Sequence, residues 1–187
     1  MDKFYWNYKT PDAFTDMIMF SDGRFLTGLI FMKSADGFKN RWDKPKRNGK
    51  LLDADLKCEM LPVFEDTVRW LDEYFGKNPE TGEFTGKSRQ PDFFPAIRIE
   101  GLTPFRRKVM TTMLTIPYGQ TMTYGEVAQM MGKEKMSARA VGGAVGWNPI
   151  CLIIPCHRVL GSHGSITGYG GGTDNKVALL RLEGTLL

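Results

Sequence analysis

The strongest constraint on this chain lies between Asn148-Pro149 and Pro155-Cys156-His157-Arg158-Val159. There Ile150-Cys151-Leu152-Ile153-Ile154 forms an unbroken apolar run. A short apolar run bounded by prolines is predicted to be a buried strand, Ile150 to Pro155. Such a strand would hold Cys156 rigidly at its end, facing a pocket. The thiolate is the nucleophilic form of cysteine, and a free thiol with a pKa of about 8.5 is mostly protonated at neutral pH. His157 is the candidate base and Glu183 the candidate group to orient it. Adjacent side chains in extended backbone point to opposite faces, so Cys156 and His157 meet only through a turn or a bridging water. By themselves these three residues fit a cysteine hydrolase as well as other thiol chemistry.

The other cysteines bound the chemistry further. Cys58, Cys151 and Cys156 are too few for a disulfide framework. Along an extended run Cys151 and Cys156 stand roughly 16 Å apart, whereas a disulfide needs Cα atoms within about 7 Å. That pairing is excluded unless the chain folds back. Two histidines and no CxxC leave little for a metal, so neither metal nor cofactor is expected. Free thiols fit a reducing compartment. No apolar signal core follows Met1, and the Phe25–Met32 stretch is too short to span a bilayer. The expectation is a soluble cytoplasmic protein (nuclear in a eukaryote) without membrane contact.

Charge is uneven. Residues 104–187 hold nine Lys/Arg and four Asp/Glu, whereas residues 1–103 hold sixteen and seventeen. The positive field therefore sits in the C-terminal half, as in a nucleic-acid binder. With 187 residues the chain can form two small domains. We expect 1–92 as an N-terminal α/β domain with an antiparallel hairpin, and 93–187 as a mostly helical domain.

In the first domain, 16–20 and 25–32 read as strands turned at Asp22-Gly23. Residues 33–50, with seven basic side chains against two acidic, read as a solvated loop. Pro62 to Phe75 reads as a helix with Phe64, Val68, Leu71 and Phe75 on one stripe. Residues 77–92 read as a linker, and 93–99 as a strand entering the second domain. There Thr103 caps a helix from Pro104, with Phe105, Val109 and Met113 inward. Thr123 and Glu126 form a capping box. Ser137 caps a helix from Ala138 to about Trp147. The last two make a winged-helix-like helix-turn-helix. Residues 162–173 form a glycine-rich loop, and 174–183 a final helix with Val177, Leu179 and Leu180 inward.

Ala138, Gly142 and Gly143 give the second helix of that pair a face of small residues, against which DNA or another helix can approach closely. Two glycines inside a helix cost roughly 1 kcal/mol each, so the face has a use. Arg139 lies on the same helix. In the loop, Gly168 to Gly172 exposes backbone N–H groups around Tyr169.

Together these segments resemble the O6-alkylguanine-DNA alkyltransferase family. The resemblance runs from about Gly101 to Gly184. It rests on Gly101-Leu102-Thr103-Pro104-Phe105, Ile116-Pro117-Tyr118-Gly119, Thr123-Tyr124-Gly125, Ala138-Arg139-Ala140-Val141-Gly142, Asn148-Pro149, Ile154 to Val159, Gly168 to Gly171 and Glu183-Gly184. It implies DNA repair by direct reversal, in one turnover. An alkyl group moves from O6-alkylguanine, and from O4-alkylthymine, in double-stranded DNA to Cys156. It implies a monomer that binds the minor groove and turns the damaged base out of the stack. His157, through a water, is the implied base, Glu183 completes the relay, and Asn148 supports the turn before the acceptor. Tyr124 is implied to donate to guanine N3, and Arg139 to fill the vacated stack. The carbonyls of Cys156 and Val159 are implied to accept from the exocyclic amine, with Tyr169 and the Gly170 amide on the O6 side. Gly170 stands where a small polar residue is common, and residues 133–136 carry one extra residue. Alkyltransferase-like relatives that bind lesions without transfer lack the acceptor cysteine present here.

Overall fold

The computed structural model describes residues 4–32, 60–132 and 137–186, in two compact units, Met1–Ile99 and Glu100–Leu187. The basic 33–50 segment, Cys58 and the 133–136 connection lie outside the described residues.

In the first unit, β1 (Phe4–Tyr8), β2 (Met17–Ser21) and β3 (Leu26–Phe31) form an antiparallel sheet in that order. The β2–β3 pair is the predicted hairpin. Asp22 Oδ1 accepts from the N–H groups of Arg24 and Phe25 at 3.0 and 2.8 Å, and Gly23 takes φ +102°. β1 is a third strand that the sequence reading lacked. Helix α1 (Pro62–Phe75) begins at a proline, whose missing N–H costs nothing there, and stops at Gly76 in the left-handed conformation. Its buried side is wider than the predicted stripe. Val63, Thr67, Trp70 and Tyr74 join Phe64, Leu71 and Phe75, while Val68 is only half-buried. Residues 77–92 are more than a linker, since Lys77 pairs with Phe84. The 93–99 segment makes a single bridge, Ile97 to Leu26, and belongs to the first unit.

In the second unit, α2 (Pro104–Met113) is followed by β4 (Met122–Thr123), α3 (Tyr124–Met130) and α4 (Ala138–Val145). Then come a 3-10 turn (Cys156–Arg158), β5 (Val159–Leu160), a second 3-10 turn (Ser162–Gly164) within the glycine-rich loop, and α5 (Thr173–Leu182). All three predicted N-caps form. Thr103 accepts from Arg106, Thr123 and Glu126 bond reciprocally, and Ser137 accepts from Ala140. Helix α4 is shorter than expected, ending at Val145. Phe105 and Val177 are half-buried rather than inward. Strands β4 and β5 pair in parallel, a non-local contact the sequence reading missed.

The expected 150–155 strand does not form. The run is buried, but it folds back on itself as a turn. Asn148 is the reason. Its Oδ1 accepts from Ile150 N at 3.0 Å and its Nδ2 donates to Ile154 O at 2.7 Å. Ile154 N donates to Ile150 O at 3.0 Å, and Leu152 takes φ +68°. A non-glycine residue in that region costs on the order of 1 kcal/mol. The hydrogen bonds that close the turn offset this cost, each worth about 1 kcal/mol net. Burying the apolar run adds to them. The architecture is mixed: an antiparallel sheet with a helix in the first unit, and a mainly helical second unit.

Candidate active site

The folded-back turn brings together residues that an extended run would separate. It ends with Cys156 N donating to Ile154 O at 2.8 Å, which starts the 3-10 turn. Asn148 Nδ2, already bonded to Ile154 O, also donates to Cys156 Sγ at 3.0 Å. The Cys151 thiol, across the turn, and Tyr169, from the glycine-rich loop, lie close enough to Cys156 to shift its titration. Cys151, Cys156 and Tyr169 are all buried, yet the site lies near the surface loop that carries Tyr169.

These neighbours favour the thiolate. Cys151 draws the Cys156 pKa below that of an ordinary thiol. Burial opposes the shift, and Asn148, the positive charge of Lys176 and Tyr169 reinforce it. Cys151 moves the opposite way, held well above the usual thiol range by Cys156 and by burial. The pair is therefore polarised, with ionisation favoured on Cys156 over Cys151.

His157 Nε2 and Glu183 Oε1 are 2.8 Å apart, with both side chains fully buried. Burial lowers the His157 pKa against the pull of Glu183, so the ring is neutral at pH 7 and Nε2–H donates. Its Nδ1 is buried without a hydrogen-bond partner. Glu183 remains ionised: burial raises its pKa, but His157 and Arg158 outweigh this and bring it to about 2. Arg158 is a site residue that sequence reasoning missed. Its Nε and Nη2 each lie 2.9 Å from Glu183, one on each oxygen, and its Nη1 donates to Ile116 O at 2.8 Å. By balancing the carboxylate, the Arg158 charge adds to the burial that keeps His157 neutral. Lys176 was also missed. It is buried, and its Nζ donates to Val159 O at 2.6 Å. Asn175 Nδ2 ties the glycine-rich loop through Gly171 O at 2.7 Å. The only sequence signal for either residue was a polar pair at helical positions beside the inward leucines.

The remaining predicted residues divide into two groups. Tyr124 opens α3, and its hydroxyl pairs with Thr167 Oγ1 at 3.2 Å. Its ring lies against Gly142, where an added Cβ would sit 3.5 Å from it. Ala138, Arg139 and Gly143 are exposed on α4, and a Cβ at Gly143 would meet nothing within 4 Å. Val159 is buried with its carbonyl on Lys176, the Cys156 carbonyl accepts from Val159 N, and Gly170 is half-buried. A separate cleft of about 310 Å³ runs between α2 and α4, lined by Phe105, Arg106, Gly143 and Trp147 among others. It does not include Cys156. The Arg106 guanidinium stacks 3.7 Å from the Trp147 ring centre at its edge.

A buried thiol with a lowered pKa, next in sequence to a neutral histidine that is bonded to an ionised glutamate, has the features of the class of proteins that use a cysteine nucleophile. Sequence comparison agrees with that class. The family pattern described as the DNA-binding domain of 6-O-methylguanine DNA methyltransferase matches residues 104–185. The Haemophilus influenzae methylated-DNA–protein-cysteine methyltransferase is 35% identical over 183 residues, covering 98% of this chain and 88% of that protein. Its Mycobacterium tuberculosis counterpart is 46% identical over 121 residues, 65% of this chain and 66% of that protein. The crystal structure of the M. tuberculosis O6-methylguanine methyltransferase superposes with a TM-score of 0.72 at 33% identity, covering 97% of this chain and 92% of that one. The same protein in complex with DNA gives 0.71 at 32%, covering 96% and 92%. The chain belongs to the methylated-DNA–protein-cysteine methyltransferase family.

Proposed function

We propose that this chain repairs double-stranded DNA by transferring the alkyl group of O6-alkylguanine to Cys156, once per molecule. The observation that carries the reading is the Cys156 sulfur, which accepts from Asn148 Nδ2 at 3.0 Å and whose pKa is drawn below that of an ordinary thiol by Cys151, Asn148, Lys176 and Tyr169. A thiolate so placed can attack the carbon bonded to O6. The S–C bond forms as the C–O bond breaks, and the electron pair leaves on the guanine. The thioether product is stable, so no second turnover follows. The proton released by Cys156 passes through a water to His157 Nδ1, the one ring nitrogen without a partner. Glu183, held by Arg158, then stabilises the imidazolium that forms.

DNA enters this reading through α3 and α4. The exposed small face at Ala138 and Gly143 lets a minor groove approach the α4 backbone, and few base-specific contacts are available there. That suits a protein that acts at any sequence. Arg139 fills the stack left by the extruded base, which offsets part of a cost of a few kcal/mol. Tyr124 polarises the leaving base through N3, and the carbonyls of Cys156 and Val159 receive its exocyclic amine. O4-alkylthymine presents the same ether chemistry and is a second substrate. The protein side chains the reaction uses lie on one chain, which is compatible with a monomer as the active form. It works in a reducing, DNA-containing compartment, the cytoplasm or the nucleus. Among the described residues no helix is long and apolar enough to cross a membrane.

The reading is tested with DNA labelled on the methyl group of O6-methylguanine. Label is expected to move to the protein in equimolar amount, and to remain on the DNA with Cys156→Ser. Label lost to solvent as methanol would instead identify a hydrolase.

A further inference from the structure

The repair chemistry requires one sulfur, and the fold places two together. Asn148 folds the 150–155 run so that Ile154 N reaches back to Ile150 O and Ile153 N to Cys151 O, at 3.0 and 2.9 Å. The left-handed turn at Leu152 reverses the chain between the two cysteines. Cys151 and Cys156, five residues apart, thereby stand on the two arms of one turn, both free and both buried, with their thiols close enough to shift each other's titration.

We propose that Cys151 is a resolving thiol, which captures a peroxide-oxidised Cys156 as an intramolecular disulfide and so protects the alkyl acceptor. The inference rests on the reading of Cys156 as the reactive thiol. In the first step the Cys156 thiolate attacks hydrogen peroxide. An S–O bond forms, the O–O bond breaks, and the departing hydroxide takes a proton to become water. Sulfur is oxidised to a sulfenic acid and the peroxide is reduced. In the second step the Cys151 sulfur attacks the Cys156 sulfur. The S–S bond forms, the S–O bond breaks, and the leaving hydroxide takes the Cys151 proton as a second water. Two thiols and one peroxide thus give one disulfide and two waters.

The electrostatics of the pair suit this order. Of the two thiols Cys156 is the easier to ionise and so reacts first. Cys151, held protonated by its neighbour and by burial, keeps its proton for the second step. Sulfenic acid formation removes the Cys156 thiolate, and with it the part of that restraint that comes from Cys156. On the repair reading an alkylated purine must reach Cys156, and whatever opening admits it also admits peroxide. For a protein consumed by one turnover, a reversible disulfide preserves an acceptor that sulfinic acid formation would destroy.

The test uses wild type and Cys58→Ser, so that Cys58 cannot supply the second thiol. Each is treated with hydrogen peroxide, capped with N-ethylmaleimide under denaturing conditions and digested for mass spectrometry. The expected product is a peptide holding Cys151 and Cys156, two hydrogens lighter and uncapped. Transfer from free O6-benzylguanine is lost in proportion and returns with dithiothreitol. In Cys151→Ser and Cys151→Ala, Cys156 instead gains oxygen, and dithiothreitol no longer restores the activity each variant had before oxidation. Sulfinic acid accumulating on Cys156 with Cys151 present would overturn the proposal. So would two thiols that remain capped, or a disulfide to Cys58. Disulfide formation is read by mass alone. A protein that forms it but never accepts an alkyl group would overturn the repair reading and leave this one standing.

Discussion

The two units of this protein bury different kinds of side chain. The first fills its interior with aromatics. Trp70 stacks on Tyr74 at 5.2 Å, Tyr74 meets Phe75 edge-on at 5.2 Å, and Phe14 leans on Phe75 at 5.1 Å. Its ion pairs stay at least partly exposed, as with Lys9–Asp16 and Arg69–Asp66. The second unit buries Asn148, His157, Arg158, Asn175, Lys176 and Glu183. Buried charge is costly even when paired, and apolar replacements of equal shape are often as stable. Aromatic packing therefore needs no explanation beyond stability, whereas a cluster of buried charge asks for a chemical one. Here every member of that cluster either touches Cys156, balances Glu183 or anchors the segments that surround them.

The contrast can be broken by removing one large side chain from each unit. Trp70→Ala and Arg158→Met are each expected to destabilise by about 3–5 kcal/mol, the first through a cavity and the second through an unpaired buried carboxylate. Denaturant unfolding measures both. Their chemistry should separate: on folded protein, Trp70→Ala transfers alkyl groups at the wild-type rate and Arg158→Met does not. Equal transfer by both would remove the case for a functional cluster.

Acid comes next in size. The folded-state pKa of Glu183 is about 2, below its unfolded value, so its contribution to stability is complete above pH 5 and fades as pH falls toward 2. His157, also depressed, adds a loss of the same sign that begins near its unfolded pKa of about 6.5. Stability of the second unit should decline steadily on acidification from pH 6.5. Glu183→Gln should flatten the lower part of that decline in urea titrations across pH.

Smaller effects test the outer face of α4. Arg139→Ala should slow repair of duplex DNA far more than reaction with free O6-benzylguanine, because only the duplex has a stack to fill. Equal losses would deny it that role. Gly143→Ala should stabilise α4 by about 0.5–1 kcal/mol through helix propensity, because nothing in the fold opposes a Cβ there. It should nonetheless weaken DNA binding. Undiminished binding would show that the small face serves some other contact.

Local signals were legible in the sequence, and non-local ones were not. The caps at Thr103, Thr123 and Ser137 depend on neighbours within four residues, which the sequence displays. So do the Asp22-Gly23 turn and the Cys156-His157 pair. The 150–155 run misled because an apolar segment reads the same whether it is extended or folded back. Asn148 settles it through bonds to residues two and six positions away. Arg158 and Lys176 were obscure for a further reason. Long cationic side chains are ordinarily exposed, and only the folded positions of Glu183, Ile116 and Val159 show what they serve.

The central claim is that the Cys156 sulfur is the atom that takes the alkyl group. Intact-mass and peptide analysis after incubation with excess O6-methylguanine duplex tests it most directly. One CH2 is expected per protein, all of it on the Cys156 peptide, with Cys58 and Cys151 unmodified. Repaired DNA beside an unmodified Cys156, or a methyl group on another residue, would contradict it.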